Sequence, residues 1–290
     1  MVTPTAERIQ ELQTRLVIPV ASFFDFDGTF SERQLLVEFM LVVGQLFPER
    51  SGIVQPIRDA LAVYKGKRTY KYGPVIQATV DAAPDLFRGL PESDALTVAR
   101  SVIAHIGDMT YVFPRRLIEM LRCKPIEERG LIIGITGAPQ VVAEEFGRKY
   151  GFDLVYSAMY GSADGIYTGE VDKRSVHDKG GILDDLEGAL GLDMDQCIAL
   201  GDSETDIPMF ERVGFPFAVN PHRKLLDWVR RNAKMIYVND RQKNGVMLLH
   251  AAARRPVDFA SDRGGMFIEI SLEDTLPDYV PSFNLPGSVP

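Results

Sequence analysis

Two carboxylates two residues apart, Asp25 and Asp27, close the first strongly apolar run of the chain, residues 16–24, and Gly28-Thr29 follows them. The run is short, rich in β-branched and aromatic residues and ended by a turn, which predicts a buried strand with Asp25 at its carboxyl end. In extended backbone, residues i and i+2 share a face, so both carboxylates point into one crevice if strand geometry continues that far. Two carboxylates so close repel each other unless a cation lies between them or one keeps a proton. The pair therefore predicts metal binding or acid–base chemistry.

Three further groups of polar residues stand where such chemistry would use them. Thr136-Gly137 follows the apolar run 131–135, and Gly201-Asp202-Ser203-Glu204-Thr205-Asp206 follows the run 197–200. In open α/β sheets, ligands bind outside the carboxyl ends of the strands, and both groups fall at such ends. Asp206 is four residues beyond Asp202, one helical turn away on the same face. Lys179 lies early in a helical stretch, 175–190, from which it can reach the same crevice, with Lys173 as its competitor.

The elements that must hold these residues alternate. From residue 131 onward, strands are expected at 131–136, 154–158, 197–200, 217–219 and 235–238, the last of them, with helices at 139–150, 175–190 and 206–213. Residues 161–165 read as the turn of a hairpin. This alternation predicts an α/β fold, a parallel sheet covered on both faces. Between residues 34 and 122 apolar residues recur at helical spacing instead, with Pro91-Glu92 as a helix start. The expected organisation is a core of 1–33 and 123–250, an inserted helical block of 34–122, and an irregular extension of 251–290, punctuated by Pro256, Pro277, Pro281, Pro286 and Pro290.

Composition narrows the partners. At 290 residues, 46% of them hydrophobic, the chain can bury a sizeable core, and its net charge of −8 disfavours general affinity for nucleic acid or anionic membrane. The most apolar helix-length stretch, 35–47, contains Glu38 and is too short to span a bilayer. The N-terminal residues, with Glu7, Arg8, Glu11 and Arg15, read as a short charged helix rather than a targeting segment. Cys123 and Cys197 have no CxxC spacing and are expected as buried thiols. A cytoplasmic protein is expected; oligomeric state is not legible.

Taken together, Asp25-Phe26-Asp27-Gly28-Thr29, Ile135-Thr136-Gly137, Lys179 and Gly201-Asp202-Ser203-Glu204-Thr205-Asp206-Ile207-Pro208-Met209 resemble the four motifs of the haloacid dehalogenase superfamily, in the branch containing phosphoserine phosphatase. The resemblance implies a Rossmann-like three-layer sandwich with the helical block as a cap. It implies a Mg²⁺-dependent phosphatase of a small phosphorylated metabolite, working through an aspartyl-phosphate, with a phosphotransferase or mutase, or a catalytically silent binding protein, as alternatives. Asp25 would be the nucleophile and Asp27 the general acid, with Thr136, Gly137 and Lys179 on the phosphate. Asp25, Asp202, Asp206 and the backbone carbonyl of Asp27 would serve the metal. In that branch a glutamate stands seven residues after the second aspartate; here that position is Gln34, so the substrate must be read from the cap. The one basic, aromatic cluster of the block is 65–72.

Overall fold

The computed structural model describes residues 3–66, 72–232 and 235–240, together with the backbone of two strands at 246–250 and 267–270. A helix, α1 (Ala6–Arg15), precedes β1 (Ala21–Phe24), and helices α2 (Leu35–Leu46), α3 (Gln55–Gly66), α4 (Gly73–Phe87), α5 (Glu92–Ile106), α6 (Val112–Arg122) and α7 (Ile126–Arg129) follow without a strand. Then come β2 (Leu131–Pro139), α8 (Gln140–Tyr150), β3 (Leu154–Ala163), β4 (Ile166–Asp172), α9 (Arg174–His177), α10 (Lys179–Leu190), β5 (Ile198–Gly201), α11 (Ile207–Phe210), β6 (Phe215–Val219), α12 (Arg223–Val229) and β7 (Ile236–Asn239). Two more strands, β8 (Val246–His250) and β9 (Phe267–Ile270), end the described chain.

The sheet runs β4-β3-β2-β1-β5-β6-β7-β8-β9. Its six central strands, β3 to β7 in that order, are parallel, and β4, β8 and β9 pair antiparallel at the two edges. The α/β class expected from alternation is what the chain adopts. Two expectations need correction: β7 is not the last strand, and β9 falls inside the stretch expected to be irregular. The remainder of that stretch, and residues 67–71 of the basic cluster, lie outside the described residues.

Side-chain alternation along β1 divides the core. Phe24 faces one layer with Phe26 and Phe30, while Phe23 faces the other with Leu12 of α1, Leu183 of α10 and Leu225 of α12. Phe26 and Phe30 continue the first layer into rings of Phe146 and Phe152, with centroids 4.9 to 6.0 Å apart. This aromatic anchor fixes the carboxyl end of β1, and by the same alternation Asp25 and Asp27 turn away from it.

The segment carrying α2 to α5 is closed at its base, where Glu32 N–H donates to Met109 O at 2.9 Å and Tyr111 N–H to Phe30 O at 3.0 Å. Beyond that closure, the Phe113 ring of α6 packs 5.4 Å from Phe217 of β6. At its far end the block meets the β3–β4 hairpin. Gly89 N–H donates to Tyr167 O, Tyr167 N–H to Leu90 O and Glu92 N–H to Gly165 O, at 2.8, 3.0 and 2.9 Å. Phe87 stacks on Tyr160 with centroids 3.9 Å apart.

Candidate active site

Strand register levels the motif residues. Phe24 of β1 is opposite Gly134 of β2 and Leu200 of β5, so Phe26, Thr136 and Asp202, each two residues on, end at one height. Asp25 and Asp27 therefore emerge between Thr136 of β2 and the loop after β5 that carries Asp202.

Lys179 sits at the centre. The helix expected over 175–190 breaks at Asp178, whose carboxylate accepts from Gly181 N–H and caps α10. The break aims Lys179, the first residue of α10, into the crevice: its Nζ lies 2.7 Å from Asp25 Oδ1 and 2.7 Å from Asp206 Oδ1. The lysine and both carboxylates are buried. Lys173 caps α9 instead, so Lys179 is the lysine that the fold brings to Asp25. His177, beside it, is exposed.

Each carboxylate has distinct partners. Asp25 Oδ2 accepts from the Thr29 hydroxyl at 3.1 Å. Asp27 Oδ1 accepts from the Leu35 amide at 2.8 Å, placing an anion at the N-terminus of α2. Asp206 Oδ2 accepts from the amides of Asp202 and Ser203, both at 3.0 Å, and from the Ser203 hydroxyl at 3.2 Å. Asp206 thus ties its loop into a turn and holds the lysine. Asp202 has no lysine or arginine partner among the described residues; His222 Nε2 stands 3.3 Å from its Oδ2. Gly28, at φ +88°, packs against that oxygen so closely that any Cβ would collide with it.

The electrostatics are unbalanced. Asp25, Asp27, Asp202 and Asp206 converge on one lysine. Burial pushes Asp25 up to about 6, with Lys179 opposing and Asp206 reinforcing the shift. Burial raises Asp27 to about 7, the Leu35 amide opposing and the Asp25 charge reinforcing. Asp202 is driven well above the usual carboxylate range by burial, then by Asp25 and Asp206. Burial lowers the Lys179 pKa, but the two aspartates outweigh it and hold the ammonium charged. Oxygens of Asp25, Asp202 and Asp206 lie within 4.8 Å of one another. An all-oxygen donor set with excess negative charge fits a hard divalent cation such as Mg²⁺.

Thr136 is fully buried, its hydroxyl accepting from the Ala138 amide at 3.1 Å, whereas Gly137 is exposed at the crevice. Sequence reasoning left Thr29 without a role, although it stands in the first motif, and missed His222, which arrives by the β6–α12 loop. It also expected two buried thiols; Cys123 is exposed and Cys197 buried.

With this geometry in hand, the comparisons with known proteins are decisive. The haloacid dehalogenase-like hydrolase family matches residues 22–211. The chain belongs to that family. A Mycobacterium tuberculosis protein named phosphoserine phosphatase SerB1 is 32% identical over 235 residues, 79% of this chain and 74% of that one. A Streptomyces azureus protein named for inhibition of morphological differentiation is 39% identical over 99 residues, 33% of this chain and 35% of that protein's length. Among solved structures, a substrate-bound phosphoserine phosphatase complex aligns with TM-score 0.50 at 19% identity, over 71% of this chain and 89% of that chain. A protein of unknown function from Bordetella pertussis aligns with TM-score 0.57 at 15% identity, over 74% and 96%. Within the haloacid dehalogenase-like family the chain falls in the phosphoserine phosphatase-like branch, whose class is phosphoric monoester hydrolase. Among the described residues, no helix is long and apolar enough to cross a membrane.

Proposed function

We propose that this family member hydrolyses a small phosphomonoester with Mg²⁺ and Asp25 as nucleophile. The observation that carries the reading is the buried Asp25–Lys179–Asp206 cluster, with Asp202 beside it and Asp27 two residues beyond Asp25. Asp25, Asp202 and the Asp27 carbonyl would hold the metal, with Asp206 as support, since its oxygens already accept from Lys179, Asp202 and Ser203. Mg²⁺ supplies charge neutralisation on the phosphoryl oxygens.

Lys179 and Thr29 hold the Asp25 carboxylate for in-line attack, while Thr136 and the Gly137 amide take phosphate oxygens. An Asp25 oxygen bonds to phosphorus as the ester P–O bond breaks, and Asp27 gives its proton to the leaving oxygen. Water then attacks the aspartyl-phosphate with Asp27 accepting its proton, releasing phosphate and free Asp25. A carboxyl with pKa about 7 is suited to both directions of transfer.

The cap is proposed to be residues 32–109, narrower than the helical block of the sequence, because the segment closes where Glu32 meets Met109 and Phe113 of α6 packs against Phe217 of β6. Phosphoserine enters as a candidate through the relatives' names, with Gln34 at the start of α2 in place of a glutamate. The test is phosphate release with Mg²⁺ across phosphorylated amino acids, sugars, amino alcohols and an aryl phosphate, for wild type and Asp25→Asn. The wild type is expected to act on at least the aryl phosphate and the variant to lose at least about 10³-fold. Equal release by both overturns the nucleophile.

A further inference from the structure

Asp202 has no lysine or arginine in ion-pair reach among the described residues, and the loop after β6 reaches back to it twice. His222 N–H donates to the Asp202 carbonyl at 2.7 Å, and His222 Nε2 stands 3.3 Å from Asp202 Oδ2. One residue thus meets Asp202 twice, by a backbone hydrogen bond and by a close approach of its ring nitrogen. Gly28 lies beside the same Oδ2, where a Cβ would collide with it.

The chain is shaped to deliver this approach. Asn220 takes φ +45°, an uncommon left-handed position for a residue with a side chain. Its amide donates to Val238 O at 2.8 Å, and its Oδ1 accepts from the Asp240 amide at 2.8 Å, pinning the turn to β7 and the residue beyond it. His222 is then the N-cap of α12, and its carbonyl accepts from Leu226 N–H at 2.8 Å. Turn and helix together place the imidazole beside the carboxylate, with the rest of the ring open to solvent.

We propose that His222 is a positioning residue for the metal: it orients Asp202 so that the carboxylate is already placed for Mg²⁺. The inference rests on the reading of Asp202 as a metal ligand. It needs only an N–H on Nε2, which the neutral ring supplies in one tautomer. Hydrogen bonds to ligating carboxylates set their orientation, and losing them weakens metal binding by about 10–100-fold. Glu204, the nearby acid, is engaged by Lys224 at 2.8 Å, which leaves the imidazole to Asp202.

The experiment is calorimetric titration of the full chain with Mg²⁺ alone, in wild type, His222→Ala and His222→Gln. The ring is 60% exposed, so truncation leaves no core cavity. His222→Ala is expected to raise the Mg²⁺ Kd about tenfold or more. His222→Gln, whose amide N–H reaches a similar point, is expected within about threefold of wild type. Wild-type affinity in His222→Ala overturns the proposal, as does equal weakening in both variants with unchanged circular dichroism. A wild type that binds no Mg²⁺ overturns the metal reading itself, and is distinguishable because it appears before any substitution.

Discussion

The residue that does most for this site is Lys179, because it is the only lysine or arginine among the described residues within ion-pair reach of Asp25 or Asp206. Replacing it by Met removes the charge at similar length and leaves two buried carboxylates facing each other. Breaking a buried pair from one side costs about 3–5 kcal/mol, so Lys179→Met should lower the urea midpoint markedly in metal-free buffer. Its kcat/KM should fall at least about 10²-fold, the scale of losing one preorganised charge. Retained activity would remove Lys179 from the chemistry. The motifs pointed to Lys179, with Lys173 as its competitor, but the physical reason for the choice was not legible. The choice depends on the helix break at Asp178, and an uninterrupted helical pattern over 175–190 conceals it. Thr29 was legible only as a turn residue because its partner, Asp25, is four residues back through a turn rather than along a strand. His222 could not be read at all, since nothing local in Asn220-Pro221-His222 signals that β6 lies beside β5.

At the scale of elements, the helical insertion is held at two ends, and the far end is the informative one. The ring of Phe87 is stacked on Phe39 at 5.3 Å and on Tyr160 at 3.9 Å, and meets Tyr167 edge-on at 5.1 Å. It therefore joins α2, α4 and the β3–β4 hairpin. Gly169, at φ +87°, lies against the Pro84 carbonyl with no room for a Cβ, so the hairpin and α4 approach backbone to backbone. Phe87→Ala should destabilise the protein by about 3–5 kcal/mol as a buried aromatic truncation. In hydrogen exchange, the amides of Gly89, Glu92 and Tyr167 should lose protection before those pairing β1 with β2. If all these amides exchange together as in wild type, the hairpin does not fasten the insertion independently. The insertion and hairpin were each readable from periodicity and from Asp164-Gly165. Their junction was not, because it joins backbone groups about 75 residues apart. For the same reason the contact of Phe113 in α6 with Phe217 of β6 could not be read from apolar spacing, which is helical wherever a helix packs.

Across the whole molecule, charge is concentrated where burial makes it costly, and solution conditions should report this. Asp240, just beyond β7, accepts from the Phe113 amide at the start of α6 at 2.7 Å, yet burial outweighs that bond and raises its pKa to about 6. The folded state therefore holds this proton more tightly than the unfolded chain. Its contribution is fully present below the unfolded pKa, near 4, and is lost as pH rises through about 6. Two units correspond to at most about 3 kcal/mol, and partial solvent access reduces this to about 1–2 kcal/mol. Asp240→Asn should gain most of that over wild type on going from pH 4.5 to pH 8 in urea denaturation; parallel curves would refute it. The active-site cluster offers the larger lever, because three aspartates converge within 4.8 Å of one another. Without metal, their repulsion is set against folding; with metal, it becomes affinity. Binding to the folded state alone should stabilise by about 2.7 kcal/mol at a Mg²⁺ concentration a hundred times Kd. Asp202→Asn removes one of the repelling charges and one of the proposed ligands together. It should match or exceed wild-type stability in chelator, yet show little of the Mg²⁺ increment, so the two proteins exchange rank as metal is added. A variant that is weaker in both conditions would mean that Asp202 holds the loop together rather than the cation.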